Sequence, residues 1–88
     1  MKVKIIYKQQ MDYTRAVEDW LHDFERRTGK IIETMDPESR EGVMFCRTYD
    51  ILEFPSIVAL DGEGAVQNIW RGAMLPTINE VSYYVQDN

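Results

Sequence analysis

Pro55 is followed at once by Ser56-Ile57-Val58-Ala59-Leu60, and this junction restricts the fold of the 88-residue chain more than any other feature. Proline has no backbone N–H to give to a sheet ladder, so it belongs at the first residue of a strand and not inside one. The apolar run behind it reads as a buried strand. Ahead of it, Tyr49 to Phe54 reads as a helix end and a tight connection. The remaining elements are arranged around that strand.

Lys2 to Tyr7 alternates early, Lys2 and Lys4 against Val3 and Ile5, and then turns apolar. That predicts a first strand in the middle of a sheet. After a polar loop, Asp12 is placed to cap a first helix whose apolar face is Tyr13, Ala16, Val17, Trp20, Leu21 and Phe24. Arg26-Arg27-Thr28 then leads to Gly29, a basic last turn with a left-handed stop. Lys30 to Met35 reads as a second strand, and strand-helix-strand implies a right-handed crossover between parallel strands. Asp36-Pro37-Glu38-Ser39 is a helix-start signal, with Pro37 welcome at the start of the helix. Val43, Met44, Cys46 or Arg47, and Tyr49 give that helix an apolar side. Gly42 weakens it by about 1 kcal/mol relative to alanine.

Ser56 to Leu60 and Ala65 to Arg71 form an antiparallel hairpin around Asp61-Gly62-Glu63-Gly64. Beyond Leu75-Pro76, Thr77 and Glu80 have capping-box spacing, and Ile78, Val81, Tyr84 and Val85 share one apolar face. The order is β-α-β-α-β-β-α. It predicts one α/β domain over residues 1–88, a four-stranded mixed sheet with three helices. No repeat, low-complexity segment or linker interrupts it.

Tyr49, Ile51 and Pro55 before an apolar strand, the hairpin at 61–64 and Arg71-Gly72-Ala73 before a last helix are similar to the thioredoxin superfamily. The resemblance covers nearly the whole chain and implies a thioredoxin-like fold in which the proline is cis and faces the redox site. In that family Cys-x-x-Cys lies between the first strand and the first helix, where the helix N-terminus favours a thiolate. The matching positions here are Met11-Asp12-Tyr13-Thr14. A thioether cannot become a thiolate, Thr14 cannot resolve a mixed disulfide, and Asp12 adds charge that disfavours a thiolate. Ile5 stands where thioredoxins bury an acid, and Lys8 where glutaredoxins keep a lysine. Gly72-Ala73-Met74 does not reproduce the glutathione-holding Gly-Gly and acidic pattern. Dithiol exchange by this chain alone is not expected. The resemblance implies instead a shallow peptide groove whose matching residues are Met11, Tyr13, Phe54, Pro55, Gly72, Ala73 and Met74.

Other chemistry has little support. Residues 1–48 balance nine basic against nine acidic side chains, while residues 49–88 hold six acids against Arg71 alone. A nucleic-acid binder needs a basic stripe, and none is visible. Cys46 is the only cysteine, so no disulfide staples the monomer; it reads as a small core residue, or as a reactive thiol. His22 lies off the apolar face without metal-ligand spacing, and no Gly-rich phosphate loop occurs. Trp20 reads as core, and Trp70 as core or surface. The apolar content near the N-terminus ends at Tyr7-Lys8, too soon for a signal-peptide core or a membrane span. The expectation is a cytoplasmic, redox-inactive domain that binds a protein or peptide partner, or a second copy of itself. No cofactor, metal, nucleic acid or membrane is expected. The alternative is a monothiol oxidoreductase or redox sensor using Cys46, and a third reading is a structural domain with no separate site.

Overall fold

In the computed structural model, which describes residues 2–85, the apolar run after Pro55 is a strand buried along its whole length. Asp87, counted among the acids above, lies outside the described residues. The elements are β1 (Lys2–Ile6), α1 (Thr14–Thr28), β2 (Glu33–Met35), α2 (Arg40–Tyr49), β3 (Ser56–Leu60), β4 (Val66–Arg71) and α3 (Ile78–Ser82), followed by a 3₁₀ turn at Tyr83–Val85. This is the predicted order.

The sheet runs β2-β1-β3-β4, with β1 parallel to β2 and antiparallel to β3, and β3 antiparallel to β4. The two central strands are therefore the ones whose sequences turn wholly apolar. Val3, Ile5, Tyr7, Ile57 and Ala59 pack on one face with Val17 and Phe24 of α1 and Val81 of α3. Ile6, Val58 and Leu60 pack on the other with Ile51, covered by Phe45, Cys46 and Tyr49 of α2. Full burial of each large apolar side chain contributes about 1.5–3 kcal/mol, so these two half-cores hold the sheet between its helices.

Several boundaries differ from the sequence expectation. Asp12 does not cap α1: the helix starts at Thr14, the N-cap residue is Tyr13, and no side chain bonds the first amides. The loop is held by Thr14 instead, as described below. Ala16 is exposed, so the inward stripe of α1 is narrower than its sequence suggests. Gly29 does take the left-handed conformation, φ 73°, and its N–H donates to Glu25 O at 2.8 Å. Coming out of that turn, residues 30–32 have not reached the sheet. Pairing begins at Glu33 opposite Lys4, and β2 has three residues rather than six.

The largest correction concerns α2. Pro37 lies in the turn before the helix, and Ser39 is the N-cap, its hydroxyl accepting from Gly42 N at 3.0 Å. Val43 and Met44 are exposed, and the inward residues are Phe45, Cys46 and Tyr49. The stripe actually used is 42, 45, 46, 49, and its first member is buried Gly42. Cys46 and Tyr49 lie inward as expected, while Gly42, having no side chain, carries no hydropathy signal to mark the first position of the stripe.

The hairpin begins at Val66, one residue later than expected, with a bulge at Ala59/Leu60. Asp61 organises its turn: the amides of Ala65 and Glu63 donate to Oδ1 at 3.0 and 2.8 Å and hold the carboxyl below its usual range. That support is complete above the ordinary carboxylate pKa and is lost as pH falls through the lowered value. The capping box of Thr77 and Glu80 is present, although α3 is only five residues long. Trp20 stacks on Phe24 at 5.4 Å and its Nε1–H donates to Pro76 O at 2.9 Å, tying the last connection to α1. Trp70 is half-buried, edge-on to Tyr84.

Candidate functional site

Ile6 at the end of β1 pairs with Ser56 at the start of β3, and Ser56 pairs with Arg71 at the end of β4. The loop before α1, the connection into β3 and the loop after β4 therefore all arise at one end of the sheet. The topology brings the seven sequence-predicted residues to that end.

Pro55 is wholly buried and its peptide bond with Phe54 is cis. The Pro55 carbonyl accepts from Gly72 N at 2.8 Å, which fastens the loop after β4 to the junction. Gly72 has φ 92°, a conformation that side chains rarely adopt. A Cβ there would stand 3.5 Å from Glu53 Oε2, so Glu53 borders the same spot. Phe54 is half-buried against the second half-core, and Lys8 Nζ lies 5.6 Å from its ring centroid, within cation–π range.

The loop before α1 is closed by its own hydrogen bonds. Lys8 N–H donates to the Tyr13 hydroxyl at 3.0 Å, and the Thr14 hydroxyl donates to Lys8 O at 2.7 Å. Met11 N–H donates to Thr14 Oγ1 at 3.0 Å, and Thr14 N–H to Met11 O at 3.1 Å. Thr14 is only 8% exposed. Thr14 thus staples this loop, in place of the helix cap expected of Asp12.

Met11 is 48% exposed and Met74 93% exposed, Ala73 is exposed, and Tyr13 is half-buried. Sequence reasoning missed Leu52, 80% exposed in the connection next to Glu53. Its exposure follows from the structure: buried Ile51 and half-buried Phe54 take the inward positions, and the leucine between them has no core left to enter. A depression of about 640 Å³ beside Met11 and Thr14 continues along α1 to Leu21 and His22. Met11 and Leu21 are the apolar residues of its lining, and Gln10, Thr14, Arg15, Glu18, Asp19 and His22 are polar or charged.

Burial raises the Tyr7 phenol pKa, with Glu18 adding to the rise against a lowering bond from Gln9. His22 is exposed, and the described residues contain no group of three or more His, Cys, Asp or Glu side chains able to hold a metal. Cys46 is half-buried on the inward side of α2, and burial raises its thiol pKa. Since the thiolate is the reactive form, alkylation of Cys46 at pH 8 is expected to run at least about tenfold slower in the folded protein than in denaturant. Equal rates measured by mass spectrometry would place the thiol on the surface. No described helix is long and apolar enough to cross a membrane.

No family model matches the chain, and no curated protein matches it by sequence. Solved structures do match. Thioredoxin 1 from Thermosipho africanus aligns with a TM-score of 0.67 and 16% identity over 97% of this chain and 90% of that one. Thioredoxin O2 from Arabidopsis thaliana gives 0.66 at 8% identity, covering 93% and 69%. A thio-disulfide isomerase from Thermus thermophilus gives 0.56 at 20% identity, covering 81% and 68%. At these identities the likeness is one of fold, and the fold is thioredoxin-like.

Proposed function

We propose that this thioredoxin-like domain is a redox-inactive binding module that holds an apolar segment of a protein partner at the Pro55 end of the sheet, as an adaptor or subunit. The observation that carries the reading is the exposure of Met11, Leu52, Ala73 and Met74 on the three connections that arise at this end of the sheet. Each large apolar side chain left in water forgoes about 1.5–3 kcal/mol of burial, which a partner covering these side chains would recover. Methionine adapts to varied partner shapes. Met11 and Thr14 stand where the resemblance to thioredoxins would place the two thiols, which supports contact over dithiol exchange at that surface.

The test is affinity capture from source extract with the intact chain, with Phe54→Asp and with Met74→Asp. Position 74 is so exposed that a charge there leaves the fold intact. A specific partner is expected to be retained by the intact chain and lost by both variants. Retention of the same proteins by both variants would refute the proposed surface. In parallel, the protein is expected not to accelerate disulfide reduction by dithiothreitol. Acceleration that disappears in Cys46→Ser would establish the monothiol alternative instead.

A further inference from the structure

We propose that Asn68 guards the outer edge of β4: its side-chain oxygen occupies the backbone donor through which a second copy of this chain would otherwise add to the sheet. This is independent of the binding reading above. Among the described residues β4 pairs with β3 alone, so it is an edge strand. Such an edge presents a row of N–H and C=O groups that can template another strand. Gly72 N–H donates to Pro55 O, and hydrogen-bonded pairs alternate along an antiparallel ladder. The register then makes Trp70 with Ile57 and Asn68 with Ala59 the bonded pairs, which turns the amides and carbonyls of Ile69 and Arg71 outward. The Ile69 N–H is not open to a partner: it donates to Asn68 Oδ1 at 2.8 Å. That is the distance at which a neighbouring strand's carbonyl oxygen would have to stand. The Asn68 amide also reaches the C-terminal turn, where its Nδ2 lies 3.4 Å from the Tyr84 hydroxyl.

Without this contact the edge is self-complementary. Two copies of β4 set antiparallel about Trp70 place Ile69 of each opposite Arg71 of the other. Both residues turn outward, so N–H and C=O groups exchange in both directions. Arg71 meets isoleucine and no like charges stand opposite each other. Val66 to Arg71 contains neither proline nor lysine, two usual means of blunting an edge. The bulge near Ala59/Leu60 disturbs the other end of the strand, away from 69–71. Asn68 therefore withdraws the Ile69 donor of each copy and stands in the path of the incoming carbonyl. The opposite edge, β2, has only three residues and protects itself by being short.

The experiment compares the whole chain with Asn68→Val and Asn68→Ala, all carrying Met74→Asp to suppress association through the Pro55 end. Asn68 belongs to neither half-core, and circular dichroism checks that each variant folds; the alanine variant decides the matter if valine overfills the site. Amide exchange by nuclear magnetic resonance reads the Ile69 and Arg71 N–H groups, and sedimentation reads association. In dilute solution the Ile69 N–H is expected to exchange about tenfold faster in the variants than in the parent. At high concentration the variants are expected to dimerise with an association constant about tenfold or more above the parent's. The Ile69 and Arg71 amides then slow together as dimer forms. Variants as monomeric as the parent, or an Ile69 amide that exchanges at the parent's rate in dilute solution, would overturn the guard. Association that leaves both amides exchanging at the dilute rate would overturn it too, because the contact would then lie elsewhere on the molecule.

Discussion

Gly42→Ala is expected to destabilise the protein by about 3 kcal/mol or more, the range reached when an added group must push backbone apart. For a domain of this size that is a fall in melting temperature of roughly 12–24 °C. A Cβ at position 42 would stand 1.9 Å from the Asp36 carbonyl oxygen, 2.8 Å from its carbon and 2.9 Å from Pro37 Cα. All three are backbone atoms of the turn that starts α2, so no side chain can swing aside to make room. Alanine's better helix propensity offsets only about 1 kcal/mol of this, and the steric term wins. Two controls separate the clash from glycine's ordinary flexibility. Gly62 has nothing within 4 Å and no positive φ, so Gly62→Ala is expected to be nearly neutral. Gly29 has the same open space at φ 73°, so Gly29→Ala is expected to lose only about 1 kcal/mol to backbone strain. Urea and thermal unfolding followed by circular dichroism would measure all three, and a Gly42→Ala protein as stable as the parent would refute the close approach.

Gly42 also marks the limit of what the sequence discloses. Elements whose buried side chains announce themselves by period were legible: Val17 and Phe24 in α1, the unbroken run in β3, the Thr77–Glu80 box. Pro55 located a strand start because its chemistry admits few positions. What depends on the distance between two pieces of backbone was not legible. Gly42 reads in sequence as a weak point of a helix, and it is instead the place where the helix touches its own entrance turn. The same holds for Thr14. As a letter it is a missing thiol; in space its hydroxyl joins Met11 to Lys8, a residue that sequence spacing does not connect to it. The site was legible to the extent that topology determines it, since strand order alone brings Met11, Phe54, Pro55, Gly72 and Met74 to one end. Leu52 was not, because its exposure follows from Ile51 and Phe54 having taken the inward positions beside it.

Met11→Cys with Thr14→Cys, in a Cys46→Ser background, is expected to give this chain a reversible intramolecular disulfide and weak reductase activity. Thr14 N–H donates to Met11 O at 3.1 Å, so the two residues close a single turn. A turn of that kind brings its end Cα atoms within about 7 Å, and a disulfide accepts roughly 4.4–6.8 Å. Position 11 is half open to solvent and position 14 nearly closed, which makes the first the attacking thiol and the second the resolving one. The free amides at the start of α1 lower the pKa of the thiol at 11, opposed by the carboxylate of Asp12. Asp12 is exposed and caps nothing, so adding Asp12→Gly is expected to raise the activity at little structural cost. The staple is the main loss. The Thr14 hydroxyl gives and receives one hydrogen bond, each worth about 0.5–1.5 kcal/mol, and sulfur replaces them poorly. The reduced form is therefore expected to be less stable than the parent by about 1–3 kcal/mol. The oxidised form is expected to regain part of this through its cross-link. Intact mass after mild oxidation, thiol titration and turnover with a disulfide substrate would test these points together. Two unreactive thiols and no intramolecular disulfide would mean that positions 11 and 14 do not face Pro55 as a pair. The binding surface proposed around Phe54 would then lose the loop that forms one of its walls.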